Sequence, residues 1–131
     1  MSSRRSSTVA SSNHLRRSDQ LDRQFFLGFV RTHILFHAAE GPICGVGITE
    51  ELTHHGYRLS PGTLYPLLHA LAASNYLRCV SKVENGRVRK YYTITARGRW
   101  ALNEARKRLK ELVKEVLEEE QHGEMRSAGK P

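Results

Sequence analysis

A chain of 131 residues holds one ordinary hydrophobic core, since a domain takes roughly 100–150 residues, and no second domain is expected. Its 21 Lys and Arg against 13 Asp and Glu leave a net charge of +8, the sign a phosphate-binding protein carries. No apolar run approaches the ~18–20 residues of a bilayer span and the N-terminus lacks an apolar signal core, so a soluble, cytoplasmic protein with no membrane partner is predicted.

Residues 1–20, rich in Ser and Arg, lack the periodicity and bulk to pack and are expected to form a disordered arm. Such an arm has the composition to track phosphates, or simply to remain an unstructured tail. From Leu21 to about Glu40, Phe25, Phe26, Phe29, Val30, Ile34 and Leu35 recur at helical spacing, while Leu27 and Phe36 widen the stripe beyond one face. A helix apolar on more than one side is buried on more than one side, which places it between its own domain and a partner subunit. Gly41-Pro42 ends it.

A short helix is predicted from about Val46 to His54, with Ile48 and Leu52 inward and a stop at His54-His55-Gly56. A turn then leads to Ser60, placed to cap a second helix with Pro61 at its first position, where the missing N–H costs nothing. Leu64, Leu67, Leu68 and Leu71 form the core stripe of that helix, opposite Gly62, Pro66 and His69 with Tyr65 at the edge. Pro66 inside a helix costs about 3 kcal/mol. Either the helix begins later than Ser60 and the cost disappears, or the geometry there serves a purpose.

Leu77–Glu84 and Arg87–Ile94 read as a hairpin joined by Asn85-Gly86, the preferred pair for a type I′ turn. Counting outward pairs Val83 with Val88, Lys82 with Arg89, Cys79 with Tyr92 and Leu77 with Ile94. Leu77, Cys79, Val83, Val88, Tyr92 and Ile94 then share a face expected to pack on the helices, and Arg78, Lys82, Arg89 and Tyr91 share one expected to meet phosphates. Residues 58–94 carry six bases and one acid, whereas residues 25–57 carry one base and three acids, so the charge concentrates on the second helix and the hairpin.

Thr95 is expected to cap a last helix running to about Glu120, some 26 residues or ~39 Å. Leu102, Ala105, Leu109, Leu112 and Val116 fall at the 3,4 spacing of a coiled-coil seam too long for one small domain to cover, which implies a second subunit. The chain thus divides into the arm 1–20, a winged helix-turn-helix 21–94, a dimerisation helix 95–120 and a flexible tail 121–131. The fold class is mainly α with a small β-hairpin.

Nothing resembles a nucleophile elbow, a Walker loop, H-E-x-x-H or a paired-carboxylate arrangement, so catalysis is not expected. Cys44 and Cys79 lie 35 positions apart without C-x-x-C spacing, which suits reduced thiols better than a disulfide or zinc framework. His33 and His37, at i and i+4, have chelating spacing, but no carboxylate completes a set and no metal site is assigned.

The stretch Ser60-Pro61-Gly62-Thr63-Leu64-Tyr65-Pro66-Leu67-Leu68, followed by Asn85-Gly86-Arg87-Val88-Arg89-Lys90-Tyr91-Tyr92, resembles the PadR family of bacterial transcriptional regulators. The pattern there is G-T-L-Y-P-L-L, then G-R-x-R-K-Y-Y leading into L/I-T-x-x-G. The resemblance covers about residues 25–120 and is dense over 60–71 and 86–98. Two places depart from the pattern: Leu71-Ala72-Ala73-Ser74-Asn75 stands for L-E-x-x-G, and Gly45-Val46-Gly47-Ile48 for H-G-Y-x-I.

The resemblance, closest to the smaller subfamily with one short C-terminal helix, implies a sequence-specific regulator, most often a repressor, binding double-stranded DNA as a homodimer. Gly62, Thr63, Tyr65, Pro66 and His69 would enter the major groove with Ser60 near a phosphate, while Lys82, Arg87, Arg89, Lys90 and Tyr91 would hold the backbone through the wing. Phe25 and Phe29 would join Leu102, Ala105, Leu109, Leu112 and Val116 in the dimer interface. A small aromatic effector would bind between the subunits, near Leu102, Ala105 and Leu109, with Trp100 close by. The rival reading is a winged-helix module that binds a protein and reads no DNA.

Overall fold

The computed structural model describes the backbone of residues 2–118 and side chains from residue 19 onward. In chain order the elements are α1 (Ser2–Glu40), β1 (Ile43–Cys44), α2 (Gly45–His54), α3 (Pro61–Ala73), β2 (Leu77–Glu84), β3 (Arg87–Ile94) and α4 (Ala96–Val113), with a π-helical turn Lys114–Glu118 continuing α4. The class is the one the sequence predicts, mainly helical with a small antiparallel sheet.

α1 begins at Ser2 rather than Leu21, so residues 2–20, expected as a disordered arm, carry helical backbone. No Gly or Pro precedes Gly28, and extending a helix that packing has already nucleated is far cheaper than starting one. The tail 121–131 lies outside the described residues. Val30, Ile34 and Ala38 of α1 are buried, while Phe25, Phe29 and Phe36 stay exposed on its other side.

Gly41-Pro42 ends α1, and the chain enters β1, a strand of two residues that the sequence did not disclose because two residues have no period. It adds to the sheet in the order β1-β3-β2, with Ile43 opposite Tyr92 and Cys44 opposite Tyr91. α2 buries Ile48 and Leu52. Its end is a Schellman motif: Gly56 takes φ +88°, Tyr57 N–H donates to Leu52 O at 2.8 Å and Gly56 N–H to Thr53 O at 3.0 Å.

α3 closes the same way without a glycine. Asn75, at the Gly position of L-E-x-x-G, takes φ +64°, and Tyr76 N–H reaches Leu71 O at 2.9 Å while Asn75 N–H reaches Ala72 O at 3.0 Å. Asparagine is the non-glycine residue that best tolerates this left-handed geometry, so the departure from the pattern preserves the cap.

β2 and β3 pair in the predicted register, including Val83 with Val88, Lys82 with Arg89, Cys79 with Tyr92 and Leu77 with Ile94. Asn85 and Gly86 have φ +51° and +76°, as a type I′ turn requires. The apolar face behaves differently from expectation. Leu77 and Tyr92 at the base are buried, but Val83 and Val88 near the tip are 75% and 69% exposed. Strands of eight residues extend about 27 Å, beyond the reach of the helices, so the outer half of the wing stands free.

Thr95 links α4 to the end of α3. Its hydroxyl oxygen accepts from Gly98 N–H at 3.0 Å and its hydroxyl lies 2.6 Å from Asn75 O and 3.1 Å from Tyr76 O. Gly98 is packed against the Tyr76 carbonyl, where a Cβ would collide. The I-T-x-x-G stretch is thus a joint that holds the helix-turn-helix against α4. Leu102, expected on the intersubunit seam, is 4% exposed and belongs to the core of its own chain, because the first turns of α4 lie over α1 and the sheet.

Candidate nucleic-acid interface

α3 starts at Pro61, so Pro66 sits inside the helix and the late-start alternative does not apply. Pro66 cannot donate to the Gly62 carbonyl four residues back, and its ring crowds that carbonyl. Both residues are exposed, as is His69; Thr63 is half-buried. The apolar side, Leu64, Leu67, Leu68 and Leu71, is buried, and the polar side of α3 is therefore the presented one.

Ser60 occupies the N-cap position with extended backbone, but its side chain caps no N–H. Its Oγ lies 3.2 Å from Thr63 Oγ1, an exposed hydroxyl pair at the helix start. Tyr65 is 42% exposed, with its ring against α2: a Cβ on Gly45 would lie 2.6 Å from the Tyr65 hydroxyl oxygen. Glycine at position 45 thus makes room for the ring.

The wing supplies the charge. Lys82, Arg87, Arg89 and Lys90 are all exposed. Lys90 alternates onto the same face as Val88 and Tyr92, and a groove of about 260 Å³ is lined by Cys44, Gly45, Val46, Tyr65, Val88, Arg89, Lys90 and Tyr92. Tyr65 of α3 and two wing cations thus front one continuous surface. Tyr91 is less available than the sequence suggests. Its hydroxyl donates to Glu84 at 2.8 and 3.0 Å, and Lys82 Nζ sits 5.2 Å from its ring centroid. That hydrogen bond to Glu84 is the main cause of a raised Tyr91 pKa. In Tyr92, burial first and then the neighbouring Cys79 push the phenol up to about 12.

The predicted interface residues divide similarly. Phe25 and Phe29 on α1 are 57% and 46% exposed, Leu112 and Val116 on the last helix 53% and 52%, and Leu109 38%. A groove of about 300 Å³ joins the two sets through Phe25, Phe29, Ala105, Leu109 and Leu112. Leu102 is absent from that groove and borders a second apolar cavity of about 380 Å³ with Phe36, His33 and His55, which Phe29 and Leu109 also line. Trp100, 62% exposed, lines neither.

Sequence spacing paired His33 with His37 but missed His55, which the fold brings beside them from the end of α2. Ring centroids lie 4.9 Å apart for His33 and His55, 5.8 Å for His37 and His55, and 6.3 Å for His33 and His37. Burial, then the His55 and His37 rings, lowers the His33 pKa. Both cysteines are free. Among the described residues, no helix is long and apolar enough to cross a membrane.

Residues 34–104 match the family described as transcriptional regulator PadR-like. Transcriptional regulator Rv3488 of Mycobacterium tuberculosis is 49% identical over 100 residues, spanning 76% of this chain and 94% of that protein. The X-ray structure of a PadR-like transcription factor from Bacteroides fragilis superposes with a TM-score of 0.67 at 28% identity, covering 74% of this chain and 95% of that one. A PadR-like transcriptional regulator from Bacillus cereus gives a TM-score of 0.65 at 27% identity, covering 71% and 92%.

Proposed function

This chain belongs to the PadR-like family of transcriptional regulators, and from that premise we propose that it is a cytoplasmic repressor binding an inverted-repeat operator as a homodimer. The observation that carries the reading is the shared surface of Tyr65 on α3 with Arg89 and Lys90 on the wing. With α3 in a major groove, Gly62, Thr63, Pro66 and His69 approach base edges, and Ser60 with Thr63 offers a hydroxyl pair to a phosphate. Gly62 and Pro66 add little bulk, so backbone can come close to the bases. Lys82, Arg87, Arg89 and Lys90 neutralise phosphates along the flank, which fixes orientation without reading sequence.

The dimer rests on the exposed apolar residues of α1 and the last helix. Each Leu, Val or Phe fully covered is worth roughly 1.5–3 kcal/mol, and a second copy brings an equivalent stripe. A planar aromatic effector fits the cavity between Phe29, Phe36, Leu102 and Leu109, which stacking and apolar contact would favour. Recovery of bound fragments from random duplex DNA tests the proposal. An enriched site with dyad symmetry is expected; no enrichment, with binding only to protein partners, points to the interaction-module alternative.

A further inference from the structure

His33 and His37 stand one turn apart on α1, and His55 caps the C-terminus of α2. One ligating nitrogen from each ring can be chosen so that all three lie within 4.8 Å of one another. Zinc in tetrahedral coordination holds imidazole nitrogens at about 2.0–2.1 Å, hence roughly 3.3 Å from each other, so modest side-chain rotations close the set. His37 Nε2 is buried and has no hydrogen-bond partner among the described residues, an arrangement that leaves a lone pair or an N–H unsatisfied. Its other nitrogen, Nδ1, lies 3.7 Å from Glu40 Oε2. A carboxylate on that side favours the proton at Nδ1 and frees Nε2 to ligate, the usual support for a metal-bound histidine.

We propose that His33, His37 and His55 form a binding site for one divalent transition-metal ion of the zinc class, clamping α1 to the end of α2. Three imidazoles select zinc, cobalt, nickel or copper over magnesium and calcium, which take oxygen ligands. Water completes the tetrahedron from the cavity that His33 and His55 border. The clamp acts just before the Gly56–Ser60 turn that leads into α3. The site stands on the histidine geometry alone and does not depend on the DNA-binding reading.

The test uses the full chain without an affinity tag, freed of metal, with Zn2+ titrated against a chromophoric chelator and Co2+ as a spectroscopic probe. One ion per chain is expected, together with the intense visible absorption of tetrahedral Co2+ and a rise in melting temperature on adding Zn2+. His55 is exposed, so His55→Ala folds as the wild type does when metal-free, yet should bind Zn2+ more than ~100-fold more weakly, since loss of outer-shell support alone costs about 10–100-fold. His54→Ala, changing the neighbouring exposed histidine, should bind as the wild type does. Equal Zn2+ affinity in wild type and His55→Ala, or no binding by the wild type, overturns the proposal.

Discussion

Tyr92 is 1% exposed and sits mid-sheet, opposite Cys79 on β2 and Ile43 on β1. Its phenol ionises at about 12 in the folded chain against the ordinary 10.0. A raised folded-state pKa means that the native state holds the proton more tightly, so this contribution is complete below pH 10 and is lost as the pH climbs to about 12. Denaturant melts at increasing pH should show that loss in the wild type and a flatter dependence across the same window in Tyr92→Phe. Equal slopes would remove Tyr92 as the cause. Single positions also explain what the sequence could and could not reveal. Asn85-Gly86 was legible because a two-residue turn leaves few choices, whereas Asn75 at a glycine position looks like a loss until its φ of +64° is seen. His55 was invisible as a partner because proximity across two elements leaves no trace in spacing.

At the level of elements, the joint between α3 and α4 is the most constrained. A methyl at Gly98 would meet the Tyr76 carbonyl, a backbone atom that cannot rotate away. Gly98→Ala should therefore destabilise by about 1–3 kcal/mol despite alanine's better helix propensity, and chemical denaturation measures it. Gly45→Ala presses only on the Tyr65 ring end, so it should displace that ring with a smaller stability loss and alter DNA preference instead. Hydrophobic period and turn chemistry made α2, α3 and the hairpin register legible, since one face of each must be buried. Two features escaped for reasons of reach. The start of α1 follows from helix propagation through a polar stretch whose sequence has no apolar periodicity, and the exposed Val83 and Val88 follow from the length of the wing relative to the helices that cover its base.

The whole molecule leaves apolar surface on α1 and on the far half of the last helix, while the near half is committed to its own core through Leu102. The coiled-coil spacing of Leu102 to Val116 therefore spans two environments, which periodicity alone does not separate. Replacing Leu109 and Leu112 with Glu should yield a folded monomer in sedimentation and weaken operator binding; an unchanged dimer would place the interface elsewhere. The central claim, that wing cations hold the backbone while α3 reads bases, is tested most directly by titrating selected and scrambled duplexes over a range of salt concentrations with wild type, Arg87→Ala, Arg89→Ala and His69→Ala. The wing variants should weaken both duplexes alike and each lower the salt slope by about 1. His69→Ala should instead lose on the order of 1–3 kcal/mol at particular base pairs of the selected site with the salt slope little changed. Wing variants that bind as tightly as wild type with the same salt slope would contradict this docking.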